Sequence, residues 1–186
     1  MIIVDGAAKD NFDQECVLAI DPALSTTGYA VISVNDIDIK YVDKFTTSAK
    51  HSDDDRIDAI VTRLFATAAQ YNVRDIILED GFLGKNARTA MQLAQLRGAI
   101  IEVFRFNQYH VEHMLPSEIR YTLGIGGNAS KEEVAMLISN MYKGNKKLDI
   151  IGPYSDKQNK NKTSDMYDAL GIGVAYCKKK REKTKT

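Results

Sequence analysis

Four carboxylates in this sequence stand where an acid needs a reason to be. Asp21 closes the apolar run Val17-Leu18-Ala19-Ile20, and Glu79 closes Ile76-Ile77-Leu78. Asp165 and Asp168 stand three apart in Ser164-Asp165-Met166-Tyr167-Asp168-Ala169-Leu170, a spacing that stacks them on one face of a helix. An acid at the edge of a core requires a cation, hydrogen-bond donors or water. Hard divalent cations such as Mg²⁺ or Mn²⁺ prefer oxygen ligands, and two of them ~3.5–4 Å apart can hold the attacking water and leaving oxygen of a phosphodiester. Plainer roles exist for two of the four: Asp21, before Pro22, can cap its own turn, and Asp165 suits a helix dipole. Asp168, among residues patterned for burial, has no such role.

The elements that must position these acids follow from periodicity. Cys16 to Ile20, Tyr29 to Val34 and Ile37 to Phe45 are expected to form three antiparallel strands, with Asn35-Asp36 as turn chemistry between the last two. Ile57, Ile60, Val61, Leu64, Phe65 and Ala68 mark the buried face of a helix opened by Asp53, Asp54 and Asp55. Ile76-Ile77-Leu78 then reads as a strand buried on both faces. Placed parallel beside the first strand through the helical crossover, it brings Glu79 to the sheet edge that carries Asp21.

Ala87, Ala90, Met91, Ala94, Gly98 and Ile101 outline a helix whose small residues permit close approach. Leu93, Leu96 and Ile100 form its second apolar line, fit to bury a neighbouring helix or a partner subunit. Tyr109 to Leu115 is a fifth strand, stopped by Pro116, which opens a short helix to Thr122. The loop Leu123 to Asn128 is glycine-rich and feeds Ser130-Lys131-Glu132-Glu133, a capping box. Such a loop can cradle phosphate, although it lacks nucleotide P-loop spacing. Lys131 is poorly placed for the dipole of the helix it opens, which argues for another use of its charge. Lys143 to Lys162, polar and interrupted by Pro153, reads as a long mobile loop before a last helix capped by Thr163 or Ser164.

Composition bounds the rest. The chain has 186 residues, 44% of them hydrophobic, enough for one domain with a sizeable core. No stretch approaches a membrane span of ~18 apolar residues, and the first residues lack signal-peptide blocks, so a cytoplasmic protein with no membrane partner is expected. Cys16 and Cys177 have neither disulfide nor zinc spacing and are expected to be buried thiols. Net charge is zero, but residues 1–93 hold 9 Lys/Arg against 15 Asp/Glu and residues 94–186 hold 16 against 10. Halves of −6 and +6 suit cation binding beside phosphate binding, and also suit ordinary solvated faces. The layout is therefore a loose arm at 1–15, one domain at 16–178 and a solvated basic tail at 179–186.

Strand, strand, strand, helix, strand, with a late helix supplying the last acids, is the layout of an α/β ribonuclease-H-like fold. Its five-stranded mixed sheet has three antiparallel strands, then two parallel ones, flanked by helices. The chain resembles the RuvC family of Holliday-junction resolvases. The matching stretches are Ile20-Asp21-Pro22 through Thr27-Gly28-Tyr29, Glu79 with Phe82, Lys85-Asn86, Gln95-Leu96-Arg97-Gly98, Gly124-Ile125-Gly126, Lys131 and Asp165-Met166-Tyr167-Asp168-Ala169-Leu170. Order and spacing agree over roughly residues 16–177.

The resemblance implies a homodimeric, Mg²⁺-dependent endonuclease, with Mn²⁺ able to substitute, that nicks two symmetric strands of a four-way DNA junction and leaves 5′-phosphate and 3′-hydroxyl ends. It makes Asp21, Glu79, Asp165 and Asp168 the metal-binding catalytic acids, with Lys131 as a catalytic cation. Phe82, Lys85, Asn86, Arg120 and Lys131 become DNA-binding positions, Phe82 as the aromatic stacking at the open crossover. The N-terminal arm, Ala23 for a common Gly, Arg120 for a common Lys and the 143–162 segment depart from the cellular pattern. They fit a phage-encoded member and leave pairing with a branch-migration motor open. Rival readings are a branched-DNA binder without chemistry, a flap, fork or RNA–DNA nuclease of the same fold, and an actin-like ATPase, whose duplicated domain this length does not accommodate.

Overall fold

The computed structural model describes residues 15–80, 86–151, 154 and 157–184, with backbone alone for 149–151 and 157–162. The expected N-terminal arm, apart from Glu15, lies outside the described residues. Strands β1 (Cys16–Asp21), β2 (Thr26–Ser33), β3 (Ile39–Thr46), β4 (Val73–Glu79) and β5 (His110–Met114) form one sheet in the order β3-β2-β1-β4-β5. β1 pairs antiparallel with β2, and β2 with β3, whereas β4 runs parallel to both β1 and β5. This is the mixed sheet expected from sequence, with β2 beginning three residues earlier than its apolar run suggests.

Strand alternation divides the core into two layers. Val17, Ala19, Ala30, Ile32, Ile77 and Met114 face α3 (Pro116–Leu123), α4 (Lys131–Met141) and α6 (Lys157–Lys183). Leu18, Ile20, Tyr29, Val31, Ile76 and Leu78 face α1 (Asp53–Gln70) and α2 (Ala87–Phe106). Central strands covered on both sides read as continuous apolar runs, as β1 and β4 do. On α2, Leu96 and Ile100 of the second apolar line are fully buried within the chain together with Phe104, contributing roughly 1.5–3 kcal/mol per side chain, while Leu93 is half-buried. No helix among the described residues is long and apolar enough to cross a membrane.

Three expectations are corrected. The 143–162 segment carries α5 (Lys146–Ile151) and the start of α6, so it is not a structureless loop. Leu148 and Tyr154 are buried in the α6-side core, and their apolar surface overrides the surrounding polar sequence. The last helix consequently starts at Lys157, and Thr163 and Ser164 lie within it rather than capping it. Finally, the basic stretch from Lys179 is solvated only from Arg181 onward: α6 runs to Lys183, but Lys179 pairs with Glu118 and Lys180 bridges Glu15 and Asp75.

The turn between β2 and β3 uses Asn35-Asp36 as expected, but the left-handed position falls on Ile37 at φ 54°. That backbone is costly for a β-branched residue. The Tyr142 hydroxyl at the end of α4 donates to the Ile37 carbonyl and helps hold it.

Candidate active site

Asp21 shares the alternation of Val17 and Ala19, and Glu79 that of Ile77, so both acids are directed to the α6 side of the sheet. β1 and β4 pair up to Ile20 and Leu78, which puts the two acids side by side just beyond the last pair. α6 reaches them because it can lie very close to the sheet. A Cβ on Gly173 would meet the end of the Ile32 side chain at 2.6 Å and the Ala19 Cβ at 3.0 Å, so the glycine lets the helix lie closer than a side chain there would. Asp165 lies over Gly28, the register partner of Asp21.

One pocket on this face is lined by Glu79, Arg120, Lys131 and Asp168, floored by Ile119, Val134 and Ile172. α4 opens with its capping box, Ser130 accepting from the Glu133 N–H and Glu133 accepting from the Ser130 N–H, which fixes the first turn and Lys131 with it. Lys131 Nζ donates to Asp168 Oδ2 at 2.7 Å. Arg120, on α3, donates to the Gly127 carbonyl at 3.4 Å, tying the glycine-rich loop to the pocket wall.

The electrostatics show crowding of like charge. Burial first, then the charge of Asp168, pushes the Asp21 carboxyl up to about 7, with Lys131 opposing and Glu79 and Asp165 adding to the rise. Burial also raises Glu79 and Asp168, in each case opposed by Lys131. For Lys131, burial disfavours the ammonium. Its hydrogen bond to Asp168 and the charges of Asp168, Asp21 and Glu79 outweigh that and hold it above the ordinary lysine value.

Burial thus outweighs the repulsion among the acids, and among the described residues no group of three or more His, Cys, Asp or Glu is drawn close enough to hold a metal ion as it stands. The donor set nevertheless suits a hard cation: it is all oxygen, and Glu79 and Asp168 share the pocket wall with two cationic side chains, Lys131 and Arg120.

The expected DNA contacts divide. Arg120 and Lys131 lie in the pocket wall itself. The side-chain oxygen of Asn86 accepts from the N–H groups of Arg88 and Thr89, capping α2. Phe82 and Lys85 lie outside the described residues. Sequence reading assigned no role to Arg97, which binds the Glu79 carbonyl. Its signal was positional: an arginine in line with Leu93 and Ile100, on the buried stripe of α2.

A family model described as crossover junction endodeoxyribonuclease RuvC matches residues 17–176. The chain belongs to the RuvC family. It is similar to the crossover junction endodeoxyribonuclease RuvC of Prosthecochloris aestuarii, 32% identical over 160 residues that cover 85% of this chain and 79% of the relative. The RuvC of Chloroherpeton thalassium is 35% identical over 127 residues, covering 67% and 68%. Among solved structures, Thermus thermophilus RuvC in complex with Holliday junction substrate superposes with a TM-score of 0.73 at 19% identity, covering 91% of this chain and 97% of that one. That likeness establishes the ribonuclease-H-like fold of this RuvC-family chain, with its five-stranded mixed sheet and flanking helices.

Proposed function

We propose that this chain is a structure-selective DNA endonuclease that resolves four-way junctions as a homodimer, hydrolysing one phosphodiester on each of two symmetric strands. The observation that carries the reading, given RuvC-family membership, is that Asp21 and Glu79 stand side by side where β1 and β4 end, with Asp165 packed over Gly28 and Asp168 bonded to Lys131 on the same side of the sheet. The four acids would hold Mg²⁺, with Mn²⁺ able to substitute, which supplies an activated water and neutralises charge at the phosphate.

The chain's own residues then have distinct tasks. Lys131, oriented by Asp168, sets a cation beside the scissile phosphate, where charge builds as water attacks in line. Arg120 offers a planar fork suited to a phosphate oxygen pair. Water attack with departure of the 3′ oxygen leaves a 5′-phosphate and a 3′-hydroxyl, with no bond between enzyme and DNA. Phe82 would stack on an exposed base at the crossover, and Lys85 and Asn86 would contact the strands beside it. A two-fold junction suits an isologous dimer. The face of α2 bearing Ala87, Met91, Ala94 and Gly98 is outward, with Met91 65% exposed and open space around Gly98.

The test is incubation of a labelled mobile junction with Mg²⁺ or Mn²⁺ and mapping of the nicks. Paired nicks at symmetric positions are expected, and Asp21→Asn and Glu79→Gln should abolish them while junction binding stays within a few-fold of wild type. Full activity in either variant would remove the acids from the mechanism. Tight junction binding with no cleavage in either metal would favour a branched-DNA binder. Equal cleavage of flaps and forks would broaden the substrate class.

A further inference from the structure

Arg97 sits in the buried stripe of α2, four residues after Leu93 and three before Ile100, with 14% of its side chain exposed. Its guanidinium donates to the backbone carbonyl of Glu79 and to a carboxylate oxygen of Asp80. It also lies 3.3 Å from Nδ1 of His113 on β5, and because arginine only donates, that nitrogen accepts.

The backbone at Glu79 needs such a hold. Its pairing with β1 has ended at Ile20 and Leu78, and what remains is the β5 side, where Glu79 faces Met114 and the Asp80 N–H donates to the Met114 carbonyl at 2.8 Å. Neutralising Asp80, itself 46% exposed, would not require a guanidinium buried against a β4 carbonyl and a β5 imidazole. A rigid fork that grips the peptide, the next side chain and the neighbouring strand together fixes geometry as well as charge.

We propose that Arg97 is a positioning residue for Glu79: it locks the peptide that ends β4, and thereby the direction in which the Glu79 carboxylate enters the pocket it shares with Asp168 and Lys131. The inference rests on Glu79 acting as proposed above. A lysine at this position keeps the charge but cannot grip all three partners, so geometry and charge are separable.

The experiment compares Arg97→Gln, Arg97→Lys and Glu79→Gln by calorimetric titration with Mn²⁺, by single-turnover junction cleavage over a range of protein concentrations, and by thermal melting. Arg97→Gln should weaken Mn²⁺ binding about tenfold and slow cleavage about 30–100-fold, the scale of a misplaced reacting group, with junction affinity unchanged. Arg97→Lys should show the same pattern at about threefold and tenfold. It also decides the matter should Arg97→Gln fail to fold. Wild-type Mn²⁺ affinity and rate in Arg97→Lys, or a loss confined to junction affinity, would overturn the inference. Glu79→Gln separates the two layers. If it loses Mn²⁺ binding while both Arg97 variants keep it, only the positioning role falls. If Glu79→Gln itself binds and cleaves as wild type, the reading of the site falls and the positioning role with it.

Discussion

Gly28 on β2 lies directly against the backbone of Asp165 on α6: a Cβ at Gly28 would stand 1.9 Å from the Asp165 carbonyl oxygen and 3.0 Å from its Cβ. Gly28 is also the register partner of Asp21, so a single missing side chain sets how near the first-strand acid and the terminal-helix acids can come. Gly28→Ala must push α6 outward, because the atoms it meets are backbone. The expected cost is about 1–3 kcal/mol or more of stability. Junction cleavage should fall below detection at temperatures where the variant is still folded. Denaturant melts beside a nicking assay check this, and an alanine variant that folds and cuts as wild type would mean the acids tolerate a wider gap.

Asp21 gives a pH signature. Its folded-state carboxyl is raised from 3.8 to about 7, by burial first and by the other acids next. Between roughly pH 4 and 7 the folded chain therefore holds a proton that the unfolded chain has released. Stability from this group is complete at low pH and is lost as pH rises through that window, by up to ~1.4 kcal/mol per unit, levelling above 7. Glu79 and Asp168 are raised as well and act in the same sense. In chelator, thermal melts of wild type should decline from pH 4.5 to 7.5 relative to Asp21→Asn, which lacks this titration. Excess Mn²⁺ should restore wild type at pH 7.5 and leave the variant unmoved. Parallel curves for the two proteins would place Asp21 in an ordinary solvated setting.

How much of this was legible beforehand depends on what each residue's role requires. Asp21 and Glu79 were legible because a buried strand that stops at an acid is a local pattern, and the crossover rule for parallel strands then joins them at one edge. Asp168 was legible because its neighbours repeat with helical period and it does not fit among them. Lys180 looked like one of several tail lysines. Its role depends on Asp75, 105 positions away, a separation that no local periodicity encodes. The same holds for Arg97 and Glu79, whose contact is set by how α2 packs on β4. The 143–162 segment misled because its polar composition conceals two buried residues, Leu148 and Tyr154, and the helix α5 that carries the first of them.

Lys131 holds Asp168 at 2.7 Å and so competes with any cation for that carboxylate. Lys131→Gln should bind Mn²⁺ more tightly than wild type in the absence of DNA, because one competing charge is gone. It should nonetheless cleave junctions about a hundredfold more slowly, the scale of losing one charge-stabilising group at a reacting centre. Calorimetry and single-turnover cleavage give the two readings. Should Mn²⁺ affinity fall along with the rate, Lys131 would be supporting the carboxylates rather than competing for one.

At the opposite end of α6, Lys180 donates to Asp75, whose side chain is 7% exposed, and to Glu15. His110 Nδ1 lies 3.1 Å from the other Asp75 oxygen. Removing the lysine leaves a buried carboxylate without its permanent cation, whereas removing both charges does not. Lys180→Met should therefore cost about 2–4 kcal/mol, below the full price of a wholly buried pair because Lys180 remains 27% exposed. The double variant Asp75→Asn with Lys180→Met should recover a substantial part of that loss. Urea unfolding of the two single variants and the double variant measures the coupling directly. A single-variant loss under ~0.5 kcal/mol would instead make the contact an ordinary screened surface pair, and the anchoring of α6 would then rest on its packing against the sheet, α3 and α4 and on the Lys179–Glu118 pair.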